Sequence, residues 1–150
     1  ELRDRETISL AMTAAETGHL VYGTLHTTNA VNTINRILDS FPPEQLPQIR
    51  AMLSESLRGV ISQRLAQRND RKGRIPAMEI LAVTPAVSNL IRDGKTFQIP
   101  GLMQVGKSHG MLLLDDSLEE LLSRKLISKE TAISLADNPE RFSGIGNKEK

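Results

Sequence analysis

Three histidines, a charged cluster at the start of the chain and one glycine-lysine-serine segment carry the side chains that could do chemistry. His19 and His26 stand seven apart. That odd spacing sends them to opposite faces of a regular strand, so the pair is not expected to share a metal. His109 stands alone in a glycine-rich segment. There is no cysteine, and no close His, Asp and Glu spacing supplies the ligands of a metal centre. His26 ends a predicted strand, and the carboxyl ends of strands are where open α/β sheets bind ligands. The plainer alternative is a polar residue closing a strand. Glu1-Leu2-Arg3-Asp4 precedes a helical pattern, and on composition alone its acids read as helix N-terminal charges favoured by the dipole.

Gly101-Leu102-Met103-Gln104-Val105-Gly106-Lys107-Ser108 matches the phosphate-loop pattern G-x-x-x-x-G-K-[ST]. A working phosphate loop follows a buried strand and opens a helix. Here Lys95–Pro100 makes a poor central strand, and His109-Gly110 interrupts any helix start. The match is therefore expected to be a coincidence. No serine or histidine falls in a nucleophile context such as G-x-S-x-G.

The elements that position these residues follow from periodicity. Ile8, Ala11, Met12 and Ala15 recur at helical spacing, and Gly18 closes that helix. His19–His26 is short and apolar and predicts a buried strand. Val31, Ile34, Ile37, Leu38 and Phe41 predict a second helix, stopped by Pro42-Pro43. Ile49, Leu53, Leu57, Val60, Ile61 and Leu65 predict a longer third helix. Ala66–Gly73 is a basic loop or hairpin tip, and 74–83 predicts a strand with Pro76 near its start or on an edge. Thr84-Pro85 opens a helix that ends at Gly94. Phe97–Gly110 reads as irregular. Asp116 to Glu119 predicts a capping box that opens a leucine-lined helix, and Ser128 caps a last short one over 129–136. Strands separated by helices suggest a parallel α/β sheet, although two strands are few for one.

With 25% charged and 39% hydrophobic residues the chain has the composition of a globular domain. A net charge of +1 gives no bulk argument for nucleic acid, membrane or acidic substrate. The absent cysteines fit a reducing compartment. Neither a membrane span nor a leader pattern is present. The first residue is Glu1 rather than Met, and the natural start is expected upstream.

The segment ELRDRETISLAMTAAETGHLVYGTLHTTNAVNTINRILDSFP resembles the core of the PilT-type ATPases of type IV pili, a branch of the secretion-ATPase superfamily. It carries their Walker B form running into a helix and then their histidine box. The likeness continues through MLSESLRGVISQRL and GRIPAMEIL to about Phe142. Ala86–Asp93 resembles the retraction signature at Asn89, Leu90, Ile91 and Arg92, with Val87, Ser88 and Asp93 where Ile, Arg and Glu are usual.

The resemblance implies an α/β fold: the C-terminal part of a RecA-like P-loop ATPase core over 1–83, a helical segment over 84–142 and a disordered tail over 143–150. It implies that Glu1 is the catalytic glutamate, that His26, and less clearly His19, sense nucleotide, and that Arg3 supports the Walker B turn. The genuine phosphate loop and the arginine fingers would lie outside this chain, leaving it inactive alone. ATP and magnesium are the implied cofactors. The implied partners are a homo-hexamer and the pilus inner-membrane platform protein, without nucleic acid, at the cytoplasmic face of the inner membrane. Extension and secretion branches usually carry a four-cysteine zinc site where this chain reads AQRNDRKGRIP, which favours retraction. An accessory or secretion member of the superfamily and a non-catalytic helical interaction module are the alternatives.

Overall fold

The computed structural model describes residues 1–143. Asp4 opens the first helix, α1 (Arg5–Glu16): its extended backbone lets the carboxylate accept the Thr7 N–H at 2.9 Å. Ile8 and Met12 face inward from α1. Asn29 starts α2 (Ala30–Leu38) in the same way, accepting the Asn32 N–H at 2.8 Å. Ala30, Ile34, Ile37 and Leu38 of α2 are buried. A 3-10 turn at Pro43–Gln45 leads into α3 (Leu46–Ser56).

The long third helix of the sequence reading is not formed. Leu57 leaves α3 in an extended conformation, and β1 (Gly59–Gln67) follows. Burial along β1 alternates, with Val60, Ser62 and Ala66 inside and Ile61, Gln63 and Leu65 outside. Apolar residues at 57, 60, 61 and 65 satisfy a helical period as well as a strand one. The β-branched pair Val60-Ile61 after Gly59 tips the choice to strand.

β1 turns at residues 68–73 and pairs antiparallel with β2 (Arg74–Ala82), in register from Gly59 opposite Ala82 to Gln67 opposite Arg74. The basic segment is thus a hairpin tip. The parallel sheet expected from the sequence is replaced, among the described residues, by this hairpin. Its second edge adds one bridge, in which Ile80 and Leu112 exchange both backbone hydrogen bonds at 2.8 and 2.9 Å.

The strand expected at His19–His26 is not formed: the segment runs without a ladder. Its backbone bonds to other segments, among the described residues, are the His19 N–H donating to the Ala14 carbonyl of α1 at 3.0 Å and the Leu2 N–H donating to the Thr24 carbonyl at 2.9 Å. Extended backbone needs a neighbour on at least one edge to become a strand. Leu20 and Tyr22 accordingly stand 76% and 88% exposed.

Helices complete the fold. α4 (Pro85–Arg92) begins as expected at Thr84, whose hydroxyl accepts the Val87 N–H. It ends before Gly94, which holds a φ of +71° and lies so close to Arg50 that a Cβ would meet the guanidinium at 2.8 Å. α5 (Ile99–Val105) occupies part of the segment read as irregular. α6 (Leu114–Ser123) starts two residues before Asp116, which therefore lies in the first turn and forms no capping box. Asp116 pairs instead with Lys107 at 2.9 Å and Arg141 at 2.7 Å. α7 (Lys129–Leu135) is capped by Ser128 as predicted, and α8 (Glu140–Ser143) closes the described chain. The expected tail falls on 144–150, outside the described residues, apart from Ser143, which ends α8.

One face of the hairpin serves two apolar clusters. Val60 and Leu81 belong to a cluster built with α1 to α5. Ala66 and Ala77 belong to a second, built with Leu114 and Leu118 of α6, Ala132 of α7 and Phe142 of α8. Between them, on the same face, lie Ser62, Arg64 and Glu79. Phe142 is fully buried, so Phe142→Ala is expected to lower the unfolding free energy by about 3–5 kcal/mol, read as a drop in the urea midpoint. A loss below about 1 kcal/mol, the scale of a surface substitution, would show that α8 does not belong to the second cluster.

Candidate functional site: a carboxylate, imidazole and guanidinium cluster

The Leu2–Thr24 hydrogen bond lays the start of the chain along the 19–26 segment. Leu2 rests against Gly23, where a Cβ would come within 2.6 Å of its side chain. This contact sets the Glu1 side chain beside His26, 25 residues on in sequence. Glu1 Oε1 lies 3.1 Å from His26 Nε2 and 2.9 Å from Arg3 Nε. The Glu1 side chain is one-third exposed, whereas Arg3 and His26 are open to solvent. The Arg3 guanidinium holds the Glu1 carboxyl below the usual carboxylate range; partial burial opposes it and His26 adds to it. Glu1 is thus kept ionised, with one cation-bearing group and one titratable ring on the same oxygen.

His26 also lines an open depression of about 430 Å³ with Thr27, Thr28, Asn32, Asn35, Arg36 and Asp39. The Thr27 and Thr33 hydroxyls lie 2.7 Å apart, and Thr33 donates to the Asn29 carbonyl at 2.8 Å. These bonds fix the turn that carries His26 into α2. The depression presents hydroxyl, amide and guanidinium groups, which suit phosphate oxygens, together with the Asp39 carboxylate, which does not.

His19 takes no part in this cluster. Its Nδ1 lies 3.1 Å from the Thr17 hydroxyl and 3.2 Å from the Ala14 carbonyl, at the end of α1. Asn89, Leu90, Ile91 and Arg92 sit on α4. Ile91 is buried in the first apolar cluster, Leu90 packs on it, and Arg92 reaches Glu55 of α3 at 3.4 Å. None of the bonds formed by these four residues joins Glu1 or His26.

Gly101–Ser108 has the wrong geometry for a phosphate loop. Gly101 lies inside α5, Lys107–His109 forms a 3-10 turn, and the Lys107 ammonium is paired with Asp116. No group of three or more His, Cys, Asp or Glu among the described residues could hold a metal ion by itself.

Comparison with known proteins places these residues in a family. The family described as type II/IV secretion system protein matches residues 1–85, the stretch that contains Glu1, Arg3, His19 and His26. The chain belongs to that family. A twitching motility protein of Neisseria gonorrhoeae is 52% identical over 143 residues, covering 95% of this chain and 38% of that protein. The type IV pilus retraction ATPase PilT of Pseudomonas aeruginosa is 53% identical over 142 residues, covering 95% of this chain and 41% of that protein. A crystal structure of the pilus retraction motor PilT with bound ADP superposes with a TM-score of 0.83 at 42% identity, over 94% of this chain and 39% of that one. The chain therefore spans about two fifths of the length of the relatives it matches. Its fold class is the α/β class of the secretion ATPases.

The sequence reading missed Glu79, whose carboxylate touches the start of α2. A glutamate between Met78 and Ile80 in an otherwise apolar strand was the available signal.

The sign of the Glu1 shift yields a direct test. A depressed carboxyl pKa contributes stability that is present above the unfolded value and lost as pH falls through the folded one. Carbon-detected titration of the Glu1 carboxyl is expected to show a midpoint below the usual range. Arg3→Gln should raise that midpoint. An unmoved midpoint would remove Arg3 from its role as the main cause.

Proposed function

We propose that this chain is the hydrolytic part of a hexameric ATPase motor that retracts type IV pili and so powers twitching motility. The observation that carries the reading is the meeting of Glu1, Arg3 and His26 within residues 1–85, the stretch matched by the secretion family. The pilus-retraction names of relatives aligned over 95% of the chain support it. In this reading 1–83 completes an ATPase core, 84–142 forms its helical C-terminal part, and the phosphate loop precedes Glu1. The exposed stretch Leu20-Val21-Tyr22 is what a strand of a larger sheet looks like without its neighbours.

The residues present suit the hydrolysis side of a nucleotide site. Glu1 is ionised and can orient the attacking water and draw off its proton. Arg3 holds that carboxylate in place. His26, whose Nε2 faces Glu1 and whose ring is exposed, can donate to a terminal phosphate oxygen and lose that bond when the phosphate leaves. Magnesium, when bound, neutralises phosphate charge; it favours few protein carboxylates and several waters, which a single Glu1 carboxylate suits. His19 would support the same box from the end of α1, and Asn89 to Arg92 would serve retraction from α4. Subunits would join as a homo-hexamer and act on the pilus platform protein at the cytoplasmic face of the inner membrane. No helix among the described residues is long and apolar enough to cross a membrane. The substitutions at Val87, Ser88 and Asp93 favour, as a second reading, an accessory member of the same superfamily.

In the motor carrying its phosphate loop, Glu1→Gln is expected to lower turnover by about 100-fold or more, the scale of a lost general base, with ATP still bound in equilibrium dialysis. Retained turnover would remove Glu1 from the reaction. Lys107→Ala should leave ATP affinity unchanged. Lost affinity would return Gly101–Ser108 to the role of phosphate loop.

A further inference from the structure

Glu79 is 6% exposed and lies on the core-facing side of β2. Its Oε1 accepts the Ala30 N–H at 2.6 Å. Ala30 is the first residue of α2, so this N–H is one that the helix itself leaves unpaired. A carboxylate is also favoured there by the helix dipole. Across the hairpin Ser62 stands opposite Glu79, and Arg64 lies one step further along the same face.

Arg64 reaches away from the hairpin in two directions. Its guanidinium donates to the Leu135 carbonyl and, at 2.7 Å, to Asp137 Oδ1. It also makes a longer contact, 3.4 Å, with the Thr28 carbonyl. The Asp137 segment is itself fixed: the buried Asp115 of α6 accepts the Asp137 and Asn138 N–H groups, each at 2.9 Å. Thr28 and Ala30 therefore receive one contact from Glu79 and one from a guanidinium anchored to α6 and α7. Both fall within four residues of His26.

Glu79 satisfies the buried Ala30 N–H, but buried charges as such are weak evidence for stability. Replacing buried charges by apolar residues of similar volume is often neutral or stabilising, and here such residues would join two apolar clusters into one. What the polar layer adds is a defined position for the 26–30 turn.

We propose that Glu79 and Arg64 are positioning residues for the hydrolytic site: through the Ala30 N–H and the Thr28 carbonyl they set where the turn holds His26, and Arg64 ties that setting to the α6–α7 package. The proposal rests on the reading that His26 acts on the terminal phosphate. It makes the helical part an input to the reaction through side chains that never touch the nucleotide.

Two measurements test it. In this chain, the Arg64→Lys and Glu79→Gln variants are followed by nuclear magnetic resonance at the His26 ring and the Thr28 and Ala30 amides. Both variants keep a donor or acceptor of similar size. The His26 and Thr28 resonances are expected to move while amides of α1 and α3 and the urea midpoint stay near wild type. Unmoved His26 and Thr28 resonances in both variants overturn the proposal. In the motor, both variants are expected to lower kcat by about tenfold with the KM for ATP within about twofold, the pattern of a misplaced rather than a missing group. Unchanged kcat in both overturns it as well. A wild-type motor without turnover would sink the hydrolytic reading instead, and the resonances would still decide whether Glu79 and Arg64 place His26.

Discussion

The β1–β2 hairpin is the constraint on which the other elements depend. It is the one paired sheet among the described residues, and each end of its inner face completes a different apolar cluster. The face reads apolar at Val60 and Leu81, polar at Ser62, Arg64 and Glu79, and apolar again at Ala66 and Ala77. A one-residue slip would turn every one of these side chains to the opposite face. The antiparallel register thus decides at once where α2 begins, where α6 docks through the Ser117 hydroxyl on the Met78 N–H, and which charges meet in the middle. The His26 turn is built on that middle layer, so its geometry follows from the pairing of two strands that contribute nothing to the Glu1 cluster directly.

Where local signals were complete, the sequence was legible. Helices α4 and α7 follow from Thr84-Pro85 and Ser128, because a capping hydroxyl next to an apolar period has few other uses. Legibility failed where one pattern served two periods. Leu57, Val60, Ile61 and Leu65 suit a helix face and a strand alternation alike, and the β-branched pair Val60-Ile61 together with the partner strand decides between them. His19–His26 failed in the opposite sense: its composition is that of a strand, but the ladder that would make it one is not among the described residues. Asp116 looked like a cap because it stands three residues before Glu119. Its side chain is taken by Lys107 and Arg141, which no local rule could supply. The family likeness gave Glu1 and His26 separate roles, but their contact was not foreseen, since nothing in a span of 25 residues predicts that two side chains meet.

Two carboxylates show how the fold distributes its charges. Glu1 is partly exposed and beside a guanidinium, and its pKa is lowered. Glu79 is buried, and desolvation raises its pKa, with the Ala30 N–H working against that shift. The charged form is favoured where a partner cation is present and disfavoured where water is excluded. Asp137 and Asp115 push Glu79 further upward, while Arg64 opposes them. The same Arg64 that steadies Thr28 thus also limits the cost of a carboxylate under α2. Were Arg64 removed, Asp137, Asp115 and Glu79 would face one another with less compensation, and the proton affinity of Glu79 would rise. A protonated Glu79 can still accept the Ala30 N–H but contributes no charge to the helix terminus. The α6–α7 package and the His26 turn are therefore linked by charge as well as by contact, because the guanidinium that reaches the Thr28 carbonyl also offsets part of the cost of the Glu79 carboxylate, which is set first by its burial.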